Sequence, residues 1–150
     1  MAETGSPLAG EMSGHIFFSH RYFGFDDALY ATVRLLSIVS RSQESLAVMR
    51  DGFPSVVNTP ELRFDCGDER KFLVIDEVKE RLKDVDGISV DDIDGVRVLS
   101  DDGWWLLRSS NTQPVLVARC EAADAKGLVK LKEALTSQLL ASGIDPPDFD

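Results

Sequence analysis

Apolar residues at helical spacing are clearest in the second half of the chain. One set is Leu128, Leu131, Leu135 and Leu139, and another is Phe72, Ile75, Val78 and Leu82. Steps of three and four residues place each set on one face of a helix, so the pattern predicts two amphipathic helices. Asp124 and Asp68 are the expected N-caps, and Gly143 is the expected end of the later helix.

Short runs with strand character accompany these helices. They lie at residues 62–66, 96–99, 104–107 and 115–121. Asp102-Gly103, between the second and third runs, is a strong hairpin signal. The order from residue 61 onward is therefore β-α-β-β-β-α, which predicts an α+β fold: an antiparallel four-stranded sheet with two helices on one face, a TBP-like arrangement.

The first 40 residues predict a loop, a short strand at 16–18 and a helix with Asp26 as its N-cap. Residues 29–39 of this helix are apolar around more than one face, so the helix needs cover on several sides. Residues 41–60 are mixed in character and contain Gly52 and Pro54, which predicts a linker. The expected organisation is thus 1–40, a hinge at 41–60, and a domain at 61–150.

Composition narrows the class of protein. With 150 residues, 43% of them hydrophobic, the chain can form one ordinary domain and a short piece of a neighbour. A net charge of −10 disfavours nucleic acid and anionic membrane surfaces as partners. The apolar runs are too short to cross a bilayer and no signal-peptide pattern is present, so we expect a cytoplasmic protein without a membrane partner.

No metal site is predicted in this chain. Cys66 and Cys120 lack the spacing of a zinc site or a disulfide framework and are interpreted as small buried hydrophobes. The acidic stretch 84–94 does not have the glycine and glutamate positions of an EF-hand loop, so a solvated turn is the simpler interpretation.

The segment 108–114, RSSNTQP, is the first candidate site. Arg108 offers a planar cation that can contact two oxygens, and hydroxyl and amide donors follow at Ser110, Asn111 and Thr112. Phosphate binding requires this chemistry on a turn with exposed backbone amides. An ordinary polar connection with an Asx turn has the same composition, so the residues alone leave both interpretations open.

The second candidate is the segment that holds Glu11, Ser13 and His15. Glu11 and His15 would have metal-ligand spacing on a helix, but Gly10 and Gly14 make a helix there unfavourable. In an extended loop the same side chains can bind sugar hydroxyls. Taken alone, the segment is more simply explained as a turn that precedes a strand.

Taken together, three motifs resemble the α-D-phosphohexomutase superfamily. They are GEMSGHIFF at 10–18, RYFGFDD at 21–27 and RSSNTQP at 108–114. The bacterial phosphomannomutase/phosphoglucomutase enzymes are the branch that the chain resembles most. The resemblance implies a four-domain isomerase that moves phosphate between C1 and C6 of glucose or mannose, through glucose 1,6-bisphosphate or mannose 1,6-bisphosphate, with Mg²⁺ in the full-length enzyme.

In that resemblance, residues 1–40 would be the end of domain three and 61–150 the phosphate-binding domain four. It implies that Arg108, Ser110, Asn111 and Thr112 hold the phosphate that is not transferred. Glu11 and Ser13 would bind sugar hydroxyls, with His15 close to the substrate.

Two motifs of the family are missing: the Ser-His-Asn loop with the phosphorylated serine and the Asp-Gly-Asp run that binds Mg²⁺. We therefore expect no catalytic residue in this chain, and an inactive chain when it is alone. Its expected partners are a phosphosugar and the missing N-terminal domains, in a monomeric enzyme. The alternative is a non-enzymatic protein-interaction module that recruits a partner through its apolar helix and acidic surface.

Overall fold

The computed structural model describes residues 1–11 and 13–149. The chain divides into two compact units, Met1–Phe53 and Pro54–Asp150.

The first unit contains two short strands and two helices. They are β1 (Leu8–Gly10), β2 (Ile16–Phe18), α1 (Ala28–Val39) and α2 (Leu46–Asp51). The strands pair antiparallel, with Leu8 opposite Phe18. The Asp27 carboxylate accepts a hydrogen bond from the Tyr30 amide at 2.9 Å and caps α1. The predicted cap, Asp26, is therefore wrong by one residue.

No residue of α1 is buried within the described structure. Large apolar side chains such as Leu29, Val33 and Leu36 are between 60% and 82% exposed. The sequence prediction of a helix that is apolar on several faces agrees with this surface. The short helix α2, which Ser45 caps through a bond from the Val48 amide, lies inside the predicted linker.

The second unit is a sheet of six strands with two helices. The strands are β3 (Val57–Asn58), β4 (Leu62–Asp65), β5 (Ser89–Asp91), β6 (Val96–Ser100), β7 (Gly103–Ser109) and β8 (Val115–Ala122), and the helices are α3 (Asp68–Leu82) and α4 (Ala125–Ala141). The strand order is β3-β8-β7-β6-β5, and β4 also pairs with β8. Every pairing is antiparallel.

The α+β class and the antiparallel sheet are as predicted, but the predicted count of four strands is wrong. The four predicted strands are present as β4, β8, β7 and β6, in that spatial order. The additional strands are β5 on one edge and β3, which extends the line of β4 along β8. The break between β3 and β4 contains Pro60, which has no amide to donate to a sheet.

One face of this sheet forms the core. The register places Val98, Trp105 and Cys120 side by side, and Val96, Leu107, Ala118 and Leu62 in the next row. These rows form one buried cluster with residues of both helices. Both helices therefore cover the same face, as the sequence predicts.

The two helices match their predicted faces to different degrees. In α4, Leu131, Leu135 and Leu139 are buried and Asp124 caps the helix. In α3 the buried residues are Lys71, Val74, Ile75, Val78 and Leu82. Phe72 was predicted on the buried face but is 51% exposed. The N-cap of α3 is Gly67 without a side-chain bond, so the prediction of Asp68 as cap is wrong.

Cys66 and Cys120 are free and buried, as predicted, and burial raises the pKa of the Cys120 thiol to about 11.

Segment 41–60 holds α2 and β3, so it is more ordered than a plain linker, and its role as a hinge stays a prediction. None of the described helices is long and apolar enough to cross a bilayer.

Candidate functional site

A tight polar turn joins β7 to β8 and contains most of the predicted phosphate-binding residues. Strand β7 extends through Ser109, so Arg108 lies on the strand, opposite Val117 of β8. The turn itself consists of residues 110–114. The predicted loop 108–114 is therefore the end of a strand followed by a five-residue turn.

The hydroxyl of Ser110 lies inside the turn. Ser110 is 6% exposed, and its Oγ accepts from the amides of Thr112 at 3.4 Å and Gln113 at 3.2 Å. The Ser110 amide donates to Val115 O at 3.0 Å, and the Val115 amide donates to Gln113 O at 2.9 Å. Ser110 thus shapes the turn, while Asn111 and Thr112 are exposed at its tip.

The guanidinium of Arg108 has one acidic neighbour among the described contacts. Its Nη1 lies 3.8 Å from Asp94 Oδ2, and the two side chains are 27% and 66% exposed. A partly exposed pair at this distance is weak. An anion with two charges can therefore compete with Asp94 for the guanidinium.

The turn is tied to the rest of the second unit at three points. The Cys66 amide donates to Pro114 O at 2.8 Å. The Lys71 ammonium donates to Gln113 O at 2.9 Å. Arg63 Nη1 donates to Gln113 Oε1 at 3.0 Å. Bonds to both backbone and side chain restrict the turn, which favours a preformed binding surface.

The sugar-binding candidates lie in the turn between β1 and β2 of the first unit. Ser13 Oγ donates to Glu11 Oε2 at 2.9 Å, and the Glu11 amide donates to His15 O at 2.9 Å. His15 Nδ1 lies 2.8 Å from Asp26 Oδ2. The structure thus brings Glu11 and Ser13 together and directs the His15 ring to Asp26. Met12 of the same motif lies outside the described residues.

A further carboxylate, that of Asp27, follows Asp26 directly in the sequence. The Tyr22 hydroxyl donates to Asp27 Oδ2, and this bond, followed by the Tyr30 amide, lowers the pKa of Asp27. The same bond to Asp27 raises the pKa of Tyr22. Asp27 therefore caps α1 and anchors Tyr22, whose ring packs against Phe23 and Phe25.

Sequence reasoning missed three residues at these turns: Asp26 as the partner of His15, and Lys71 and Arg63 as anchors of Gln113. Asp26 lies in the RYFGFDD motif, so its motif offered a signal. Lys71 and Arg63 gave none, because their contacts with Gln113 span 42 and 50 residues. Over the described residues, no cluster of three or more His, Cys, Asp or Glu side chains is arranged to hold a metal ion.

Two protein-family models match the chain, one in each unit. Residues 61–138 match the model "Phosphoglucomutase/phosphomannomutase, C-terminal domain". Residues 1–56 match "Phosphoglucomutase/phosphomannomutase, alpha/beta/alpha domain III". Both turns therefore lie within segments that match phosphoglucomutase/phosphomannomutase domain models.

Individual phosphomannomutases and phosphoglucomutases are also similar to this chain. A phosphomannomutase/phosphoglucomutase of Pseudomonas putida is 46% identical over 140 residues, which are 93% of this chain and 30% of that protein. A phosphoglucomutase of Neisseria gonorrhoeae is 45% identical over 133 residues, 88% of this chain and 29% of that protein. A crystal structure of a phosphoglucomutase/phosphomannomutase family protein from Burkholderia thailandensis matches with a TM-score of 0.80 and 43% identity, over 95% of this chain and 30% of that one.

The chain belongs to the phosphoglucomutase/phosphomannomutase family. It spans about 30% of the length of the relatives that it matches.

Proposed function

We propose that this chain is the phosphosugar-binding C-terminal part of an enzyme that interconverts hexose 1-phosphate and hexose 6-phosphate. Arg108, Ser110, Asn111 and Thr112 bind the phosphate that is not being transferred. The observation that carries the proposal is the restrained turn at 110–114, with two exposed polar residues at its tip and a guanidinium on the strand that leads into it.

Each residue has a distinct role in this proposal. Arg108 supplies a fixed positive charge with paired donors. Asn111 and Thr112 supply short donors at the exposed tip. Ser110 keeps the turn closed because its oxygen accepts hydrogen bonds from two backbone amides. Its own hydroxyl hydrogen stays available to donate.

In the first unit, Glu11 and Ser13 bind sugar hydroxyls, and His15 lies near the substrate. A carboxylate that already accepts from Ser13 can still accept from a sugar hydroxyl, because an ionised carboxylate has several acceptor sites. The bond between His15 and Asp26 fixes the plane of the imidazole.

The chain's contribution to the reaction is binding and orientation. Contacts with the distant phosphate supply binding energy that orients the reacting end of the sugar. In the full-length enzyme, Mg²⁺ would supply positive charge to offset that of the transferred phosphoryl group, and the residues described here do not form a site for it. The serine nucleophile and the metal site belong to domains outside this sequence, so this chain alone is inactive. We propose a cytoplasmic, monomeric enzyme with segment 41–60 as its hinge.

The exposed apolar surface of the first unit favours one alternative, a protein-interaction module. A groove of about 620 Å³ lies beside α2, lined by Leu35, Leu46, Ala47, Met49, Arg50 and Phe53. We assign this surface to the rest of the α/β/α domain that residues 1–56 match. Two substitutions discriminate the two functions. Leu36→Glu should abolish the activity of an interaction module, whereas Arg108→Ala should abolish phosphate binding.

Titration of the ¹⁵N-labelled chain with glucose 1-phosphate, followed by NMR, tests the proposal. We expect saturable shifts of the Asn111 and Thr112 amides with a Kd of about 1 mM or weaker, because only part of the contacts is present. Arg108→Ala should abolish these shifts. Arg41→Ala, which changes the net charge equally at an exposed residue of the first unit, should retain them. Absence of saturable shifts in the unmodified chain up to roughly 50 mM would refute phosphate binding by this turn.

A further inference from the structure

We propose that Lys71 is a positioning residue for phosphate: its ammonium holds the 110–114 turn in its binding conformation from beneath. The inference rests on the proposed function of that turn. Lys71 lies in the first turns of α3, outside the loop that the sequence motif defines.

The burial of Lys71 requires an explanation. The residue is 3% exposed, and its neighbours on the same helix face are apolar. Removing an ammonium from water is costly unless its donors are satisfied. Asp68 Oδ1 accepts at 2.7 Å, but that side chain is 74% exposed, so an ion pair with Asp68 alone does not require a buried lysine. The centroid of the Phe72 ring lies 5.1 Å from Nζ. A cation can make this contact at the surface as well, so it does not require a buried lysine either.

The second acceptor of the ammonium is the carbonyl of Gln113, 2.9 Å from Nζ, and this bond places the ammonium against the turn. The same oxygen accepts from the Val115 amide at 2.9 Å, which closes the turn. The amide of Gln113 donates to Ser110 Oγ at 3.2 Å. One residue thus connects the ammonium to the hydroxyl at the centre of the turn, so a shift of this carbonyl also moves the Ser110 contact.

The next carbonyl is held as well, because the Cys66 amide donates to Pro114 O at 2.8 Å. Two successive carbonyls of the turn are therefore fixed by the segment that begins α3. Asn111 and Thr112, which are exposed at the tip, therefore lie on a backbone that is held without a ligand, which reduces the ordering cost of binding.

The charge of the ammonium is paired with an acidic side chain. The chain carries a net charge of −10, which opposes an anionic ligand. A buried cation is screened less by salt than a surface one. The Asp68 carboxylate, 2.7 Å from Nζ, offsets this charge, so Lys71 acts on the turn mainly through its bond to Gln113 O.

Lys71→Met and Lys71→Arg test the inference, with Lys83→Met as the matched control. Methionine keeps the length of the apolar stem and removes the ammonium, and arginine keeps a donor and the charge. Lys83 caps the other end of α3, and its side chain is 68% exposed, so its loss changes the net charge equally. Lys71→Gln is a second neutral variant, and the dispersion of the NMR spectrum confirms folding for each protein.

Two measurements separate positioning from general stability. Titration with inorganic phosphate should show affinity weakened about tenfold or more in Lys71→Met, as for loss of a hydrogen bond to a charged group. Lys83→Met should be unchanged, and Lys71→Arg should recover part of the affinity. Without ligand, amide exchange at Ser110 and Val115 should accelerate in Lys71→Met, while exchange in β8 beyond the turn stays the same.

The outcomes are distinct. Equal phosphate affinity and equal exchange in the unmodified chain and Lys71→Met would overturn the role of Lys71 alone. A uniform acceleration of exchange across the second unit would also overturn it, because it would show a structural role. No saturable binding of phosphate by the unmodified chain would overturn the proposed function, and this inference with it.

Discussion

Gly95 offers a direct test of how β6 and β7 pack beside the candidate site. It precedes β6 with φ +85°, in the left-handed region that side chains rarely adopt. A Cβ at this position would lie 2.4 Å from Leu107 O and 2.6 Å from Arg108 Cβ. Neither atom can retreat without disturbing the pairing of β6 with β7, so Gly95→Ala should strain the strand that carries Arg108.

The size of the effect follows from two costs. The left-handed backbone costs an alanine about 1–2 kcal/mol, and overpacking adds about 1–3 kcal/mol, so the expected loss of unfolding free energy is about 2–5 kcal/mol. Gly87 separates the two costs. It has φ +79° and nothing within 4 Å of its added Cβ, so Gly87→Ala should lose only the first.

Urea unfolding, followed by tryptophan fluorescence, measures both variants. The two tryptophans of the chain, Trp104 and Trp105, lie in β7, so the signal reports on the second unit. With m of about 1–3 kcal/mol/M, the midpoint of Gly95→Ala should fall by roughly 1 M or more. Equal losses for Gly95→Ala and Gly87→Ala would refute the steric reasoning.

Two further predictions concern stability. The Arg70 guanidinium lowers the pKa of Glu77 from 4.5 to about 2, so the stabilisation by this carboxylate is complete above about pH 4.5 and is lost as pH falls towards 2. Glu77→Gln should therefore lose less stability than the unmodified chain between pH 6 and pH 3 in urea titrations, and identical pH profiles would contradict this assignment. Leu139 is fully buried and Leu140 is 56% exposed, so Leu139→Ala should cost about 2–5 kcal/mol and Leu140→Ala within about 0.5 kcal/mol; similar costs in thermal or urea unfolding would show that the core lies elsewhere.

The elements with strong local signals were predictable. The leucine spacing of α4 and its Asp124 cap depend only on neighbouring residues, and the structure has both. The hairpin of β6 and β7 follows from Asp102-Gly103, where Ser100 pairs with Gly103. In each case a short-range pattern and the tertiary packing favour the same structure.

The missed elements have weak local signals. Strand β5 has no buried residue, and β3 has two residues, so neither shows a usable alternation. Both exist because a neighbouring strand offers unpaired backbone groups. Lys71 was missed for a related reason: a lysine at an apolar position reads as surface, and its acceptor is 42 residues away in sequence.

The two margins of the sheet have a consequence for how this protein behaves at high concentration. Exposed strand edges are templates on which another molecule can add a strand, and long flat edges lead to fibrils. One margin is divided at Pro60, and the other is a three-residue strand that ends in Asp91. Interruption, brevity and negative charge each discourage intermolecular strand addition, so concentrated solutions should resist aggregation through these margins.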